Sequence, residues 1–198
     1  MKRRTFDSIV SFVGLGLSVF LFVAAALLNW GASFADESVA TQLAQQKITM
    51  PDKDSAGFKS LPQKAQDALA PFSKMPMTSG KQAQAYADFY IGSHLTGIAG
   101  GKVYSEVSGA ALAANAKSKA DPANLALATE AGVLMGQRTS LFMGETLRGL
   151  LLYSFAFWQI GQIAMYAAWA AALGGLLMLV LTLLGFAHIR RVEADATI

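Results

Sequence analysis

The chain contains no cysteine and only two histidines among its 198 residues. Disulfides, thiolate nucleophiles, iron–sulfur clusters and cysteine zinc sites are therefore excluded. Charge is scarce as well. Asp, Glu, Lys and Arg make up 15% of the residues, against roughly 25% in soluble domains. The formal net charge is only +3, without the concentrated basic face that nucleic acid requires, so no nucleic acid is expected as a partner. No alternating pattern long enough for a β-strand occurs, and there is no internal repeat.

The missing charge is concentrated in two places. Between Asp7 and Asp36, 28 consecutive residues carry none, and between Arg148 and His188 the run is 39. Crossing the ~30 Å hydrocarbon core takes about 20 apolar residues. Ser8 to Trp30 is long enough, and Trp30 at its far end suits the membrane interface. A cleavable signal peptide would share the basic start (Lys2, Arg3, Arg4), with Ser33-Phe34-Ala35 as its cleavage site. The apolar run exceeds the roughly 7–15 residues of a signal core, so a retained anchor is expected.

The second run, as one helix, would measure about 58 Å at 1.5 Å per residue, nearly twice the hydrocarbon core. It is either a hairpin of two short spans or one helix whose first half stands outside. Its first half carries Tyr153, Ser154, Gln159, Gln162 and Tyr166, and its second half, from Ala167 to Ala187, is almost wholly apolar. No Pro, Asn or Asp marks a turn between them, which favours one long helix. Basic residues close to spans stay in the cytoplasm. Lys2, Arg3 and Arg4 at one end and Arg190 and Arg191 at the other place both termini there.

The expected fold is an all-α membrane protein of the plasma membrane. Residues 1–7 form a cytoplasmic N-terminus, 8–30 the first transmembrane helix, and 31–148 an extracytoplasmic helical domain. Residues 149–187 form a long helix whose second half is the second span, and 188–198 a cytoplasmic C-terminus. Small residues recur every four positions at Gly14 and Ser18, and at Ala167, Ala171 and Gly175. Such stripes let helix backbones approach closely, either within this chain or against a partner's helix.

In the outer region, helix is expected to continue from Ala35 to Gln46. Residues 48–76 are the least ordered stretch, because Pro51, Pro62, Pro71, Pro76 and Gly57 cluster there. A short helix starts at Ser60 with Pro62 in its first turn. A clearer helix starts at Ser79, with Ala83, Ala87, Tyr90, His94 and Ile98 on one face, and stops at Gly100-Gly101. Val103 to Ala116 forms another, followed by a polar loop at Lys117 to Lys119. Asp121-Pro122 reads as a helix start, with Gly132, Gly136 and Gly144 as points where that helix bends. The domain is expected to pack around the outward extension of the second span.

Candidate chemistry is thin. His94 lies between Tyr90 and Ile98 and lacks the company a metal needs. Its candidate partners are Glu106 and Glu145. Glu145 and Arg148 stand at i, i+3 as a local ion pair. Tyr90, His94, Glu106, Glu145 and Arg148 thus form a candidate polar network. Tyr86, Phe89, Tyr90 and Tyr104 read as core aromatics. Gly97 to Lys102 lacks full Walker spacing and a preceding strand. His188 reads as a headgroup anchor. Neither span contains an ionisable residue of the kind a pump or ion carrier uses. No catalytic, cofactor or metal residue is assigned, and the chain is not expected to be an enzyme.

The segments AQAYADFYIGSHL, GKVYSEVSGAAL and SLFMGETLRGLLLYSFAF resemble a group of actinobacterial two-span membrane proteins. The opening MKRRTFDSIVSFVGLGL and the basic tail after GFAHIRR are similar too, and the likeness covers most of the chain outside Thr49 to Thr78. Members often carry the label aromatic ring-opening dioxygenase. Such enzymes hold non-haem iron through a set of His and carboxylate ligands, and this chain offers one histidine on each side of the membrane. What the resemblance implies is topology rather than activity.

The expected function is a non-catalytic accessory or structural subunit of a larger actinobacterial plasma-membrane complex, a respiratory assembly being one host. Its partners would be membrane lipids and other membrane-protein subunits. Alternatives are a self-associating cell-envelope scaffold and an extracytoplasmic ligand or lipid sensor.

Overall fold

The computed structural model describes residues 2–191 and 193. Helix accounts for 83% of the described residues, and no strand occurs among them. The α-helices are α1 (Arg3–Gln45), α2 (Ala56–Lys59), α3 (Gln63–Leu69), α4 (Gly80–Ala85), α5 (Gly92–Ile98), α6 (Tyr104–Ala120) and α7 (Leu125–Ile189). A π-helical turn, Tyr86–Ile91, joins α4 to α5, and a 3-10 turn, Ala70–Phe72, follows α3. Both α1 and α7 are long and apolar enough to cross a membrane. Residues 149–187 lie inside one uninterrupted helix, with no turn for a hairpin.

Contacts divide the chain into two compact units, Met1–Glu37 with Gln159–Ile198, and Ser38–Trp158. The first is an antiparallel helix pair. Its buried residues are small and mostly spaced by seven: Ser11, Ser18, Ala25 and Ala32 on α1, with Gly14 and Ala35 three residues beyond Ser11 and Ala32, and Gly161, Ala168, Gly175 and Thr182 on α7. A seven-residue repeat keeps two α-helices facing each other along a left-handed seam. The contacts are close. A Cβ on Gly14 would lie 2.7 Å from Thr182 Oγ1, one on Gly185 2.6 Å from Ser11 Oγ, and one on Gly161 2.8 Å from Ala35 Cβ. Ser18 donates its hydroxyl proton to the Gly175 carbonyl (2.8 Å). Phe12 and Phe186 meet edge to face at 5.2 Å.

The four-residue stripe therefore meets this seam only in part. Gly14, Ser18 and Gly175 lie in it, Ala171 borders it, and Ala167 is exposed. The reason is geometric: four-residue steps drift around the helix, whereas steps of seven return to the partner. Around the seam the large residues point outward. Phe20, Val23, Leu27, Leu173, Leu177 and Leu184 are all exposed.

The second unit is built the other way round. Met50, Phe58, Leu61, Leu69, Met77, Ile91, Leu151 and Trp158 form a buried cluster with Val39 and Leu43 at the end of α1. Gly80 is required where α4 meets α7, since a Cβ there would sit 2.5 Å from Trp158 Cβ. Gly144 likewise leaves room for Leu95.

Several sequence expectations change here. Residues 48–76 are not loosely held: Met50 N–H donates to Met75 O and Met77 N–H to Ile48 O, both at 2.9 Å. Pro62 stands immediately before α3 and Pro71 lies in the 3-10 turn, while the apolar residues between the prolines supply much of the core. Ser60 ends α2, and α3 starts after Pro62. The Lys117 to Lys119 loop is helical, as α6 runs to Ala120; lysine is a good helix former and suits a helix C-terminus. Asp121-Pro122 lies in a turn, and Asn124 caps α7 by accepting from Leu127 N–H (3.3 Å). Gly132, Gly136 and Gly144 do not interrupt α7. The expected start at Ser79 is observed: its hydroxyl accepts from Gln82 N–H, and the Gln82 amide oxygen accepts from Ser79 and Thr78 N–H. Gly100 and Gly101 adopt left-handed φ of 62° and 85°, the ending glycine favours.

Candidate functional site

In the second unit, α7 uses nearly all its charged and amide side chains to hold α4–α6. Helix ends leave backbone groups without helical partners. Gln137 donates to Ile98 O at the end of α5 (3.1 Å). At the start of α6, Glu106 accepts from Val103 N–H (2.8 Å) and Glu145 from Tyr104 N–H (3.1 Å). Two carboxylates at one helix N-terminus also suit its dipole. Arg138 donates to Ser108 Oγ (2.9 Å) and Tyr104 Oη (3.0 Å) and lies over the Tyr104 ring.

Arg148 does not pair with Glu145. Its Nη2 donates to Asp88 Oδ1 at 2.8 Å, and Asp88 lies on the π turn between α4 and α5. Residues three apart on a helix can pair, but each of these has a better-placed partner on another element. His94 is exposed; its Nδ1 lies 2.7 Å from Tyr90 O, and its ring centre lies 4.5 Å from that of Tyr90 with the planes tilted by 52°. Tyr90 in turn lies 4.7 Å from Tyr86. The five residues of the candidate network therefore resolve into three separate arrangements: the Glu106–Glu145 caps, the Arg148–Asp88 pair, and the tilted Tyr90–His94 pair. Sequence reasoning missed Asp88, Gln137, Arg138 and Ser108. Their one signal is being polar within otherwise apolar helical stretches.

An open cleft of about 520 Å³ lies beside the Arg148–Asp88 pair, with Ser93, Thr96, Gly92 and Gly97 on its wall. Its hydroxyls are engaged within their own helix, Ser93 on Phe89 O (2.6 Å) and Thr96 on Gly92 O (3.0 Å). Arg148 also lines the cleft, and its Nε is buried without a hydrogen-bond partner. Neither hydroxyl has a basic side chain hydrogen-bonded to it. Among the described residues no three His, Asp or Glu side chains are grouped to hold a metal ion.

Elsewhere on this unit, Lys74 and Asp52 pair at 3.0 Å. A hydrogen bond from Asp54 N–H, then Lys74, holds the Asp52 carboxyl below its ordinary range, and Asp52 in turn raises Lys74. Burial, with Tyr90 as a lesser cause, pushes the Tyr86 phenol up. Comparison of the chain with protein-family models, curated proteins and solved structures finds no match.

Proposed function

We propose that this chain is a two-pass plasma-membrane protein that holds a helical domain outside the cell as a non-catalytic subunit of a larger membrane complex. The helix pair is inside-out for water, with glycine, alanine and serine buried and leucine, valine and phenylalanine exposed. Lipid tails are as apolar as leucine, so helices in a bilayer pack through close approach of small residues. The antiparallel pairing puts Lys2–Arg4 and Arg190 at one end of the pair and Trp30 at the other. Basic flanks favour the cytoplasm, which leaves residues 38–158 outside.

The observation that carries the non-catalytic reading is where the polar groups go. Glu106, Glu145, Arg138 and Gln137 serve helix ends and docking bonds, and Arg148 is held by Asp88. What is left for function is surface. The resemblance noted in the sequence agrees in topology. A respiratory assembly of an actinobacterial membrane is the proposed host.

The test is purification of the intact chain from its own membranes in mild detergent, followed by mass spectrometry. Stoichiometric co-purification with larger membrane subunits is expected. Recovery without any other protein under those conditions would remove the subunit reading. Release by carbonate washing would remove the membrane reading itself.

A further inference from the structure

We infer that the cleft beside the Arg148–Asp88 pair binds a small zwitterion, a protonated primary amine close to a carboxylate or phosphate. Its lining residues all belong to the second unit, so the inference stands apart from the membrane reading.

At about 520 Å³, the cleft falls in the range of small-molecule sites, roughly 300–1,000 Å³. One wall depends on a helical irregularity. Asp88 and Ser93 are five residues apart, and on a regular α-helix they would stand about 140° apart. The π turn Tyr86–Ile91 overrides that. Its hydrogen bonds span five residues, as Gly92 N–H to Ala87 O does, so residues five apart return toward one face. Asp88 thereby joins Ser93, Thr96 and Gly97 along the cleft. Such turns are rare, and many of them lie at functional sites.

The polarity of the lining gives the chemistry. Ser93 and Thr96 donate their hydroxyl protons to Phe89 O (2.6 Å) and Gly92 O (3.0 Å). A carbonyl only accepts, so what these hydroxyls still offer is oxygen lone pairs. Asp88 receives Arg148 on Oδ1, which leaves Oδ2 to accept. Three acceptor groups match the three donors of a primary ammonium. Arg148 supplies the opposite character. Its Nη2 serves Asp88, its Nε has no partner, and its side chain is 42% exposed. A guanidinium has five N–H donors, so donors remain for a carboxylate or phosphate, whose geometry it matches. The pair as a whole is neutral, with its charges 2.8 Å apart. A lone cation would be repelled by Arg148 and a lone anion by Asp88. A ligand carrying both charges meets a partner for each.

The test is titration calorimetry on the full chain in a non-ionic maltoside detergent. O-phosphoethanolamine and L-alanine are the zwitterionic probes. Ethylamine and inorganic phosphate carry one charge each, and O-phosphocholine keeps both charges without an N–H. At least one of the two zwitterions should bind saturably, roughly tenfold or more tighter than the three controls, the worth of one charge-assisted hydrogen bond. L-alanine as the tighter ligand assigns a free amino acid; O-phosphoethanolamine as the tighter one assigns a phosphoethanolamine headgroup. Arg148→Met and Asp88→Asn should each erase the preference, but both also remove a docking bond. Gly97→Leu removes none: a Cβ there meets no atom within 4 Å, so the leucine occupies cleft space. Saturable binding should disappear in Gly97→Leu with circular dichroism unchanged. Zwitterions that bind no tighter than the controls would overturn the inference. So would the absence of saturable binding by either zwitterion, or an unaltered affinity in Gly97→Leu.

Discussion

The two units solve opposite packing problems with one chain. In the helix pair, the buried positions are all small, among them Ser11, Ser18, Ala25, Gly161, Ala168 and Gly175, and the large apolar residues face out. In the second unit, alanines are buried too, but so are the large side chains of Met50, Phe58, Leu69, Met77 and Trp158. Removing large apolar surface from water drives the second arrangement. It cannot drive the first if hydrocarbon is already the solvent. There, contact distance decides, and glycine beside a hydroxyl allows the closest contact.

The sharpest way to break this comparison is to delete the same atoms in both units. Leu69→Ala should cost about 3 kcal/mol, since a buried leucine loses transfer energy and leaves a cavity. Leu173→Ala, on the outer face of the helix pair, should change stability by less than about 0.5 kcal/mol. Denaturant titration of the full chain in detergent, followed by circular dichroism, reads both. Equal costs would mean that both units bury their leucines from the same solvent.

Overfilling the seam comes next. A Cβ on Gly185 would lie 3.6 Å from Ser11 Cβ, within disulfide range. Ser11→Cys with Gly185→Cys should oxidise readily. Adding Gly14→Leu pushes into Thr182 and should weaken helix pairing by about 1–3 kcal/mol, seen as a lower disulfide yield. An unchanged yield would show that the seam is not tightly packed.

Polar contacts should matter less, and about equally in the two units. For Arg148 and Asp88, whose side chains are 42 and 30% exposed, a double-mutant cycle with Arg148→Met and Asp88→Asn should give no more than ~1 kcal/mol after solvent screening. Ser18→Ala should cost about 0.6 kcal/mol, the average for interhelical hydrogen bonds in membranes. A Ser18 effect several times larger would mean that polar bonding, and not close packing, holds the pair.

The smallest effect at neutral pH belongs to Tyr86. Its phenol is raised in the folded state by burial, so folding favours the protonated form. That stability is complete below the ordinary tyrosine value near 10 and is lost as pH rises through the higher folded value. Unfolding of the second unit measured from pH 8 to 12 should show this loss. Tyr86→Phe should remove that part of the alkaline dependence.

What could be read in advance follows from periodicity. The two charge-free runs, the continuous helix through 149–187 and the cap at Ser79 were legible because each depends on neighbours within a few residues. The seam was half legible: Gly14, Ser18 and Gly175 carry it, but Ala167 has the same composition and lies exposed. Which small residue faces the partner depends on how α1 and α7 wind together. The region rich in proline misled for a related reason. Breakers tell where helix stops and say nothing about Met50 and Met77, which meet only when residues 48–50 and 75–77 pair.

The sequence alone determined that this is a helical protein with two runs fit for a bilayer, because hydropathy and charge act residue by residue. Only the tertiary structure decided that Arg148 binds Asp88 and not its helical neighbour Glu145. The same holds for Glu145, which caps α6 from 41 residues away. Such pairings are settled by which helix ends and side chains a fold brings within about 3 Å of each other, and no local pattern encodes that distance.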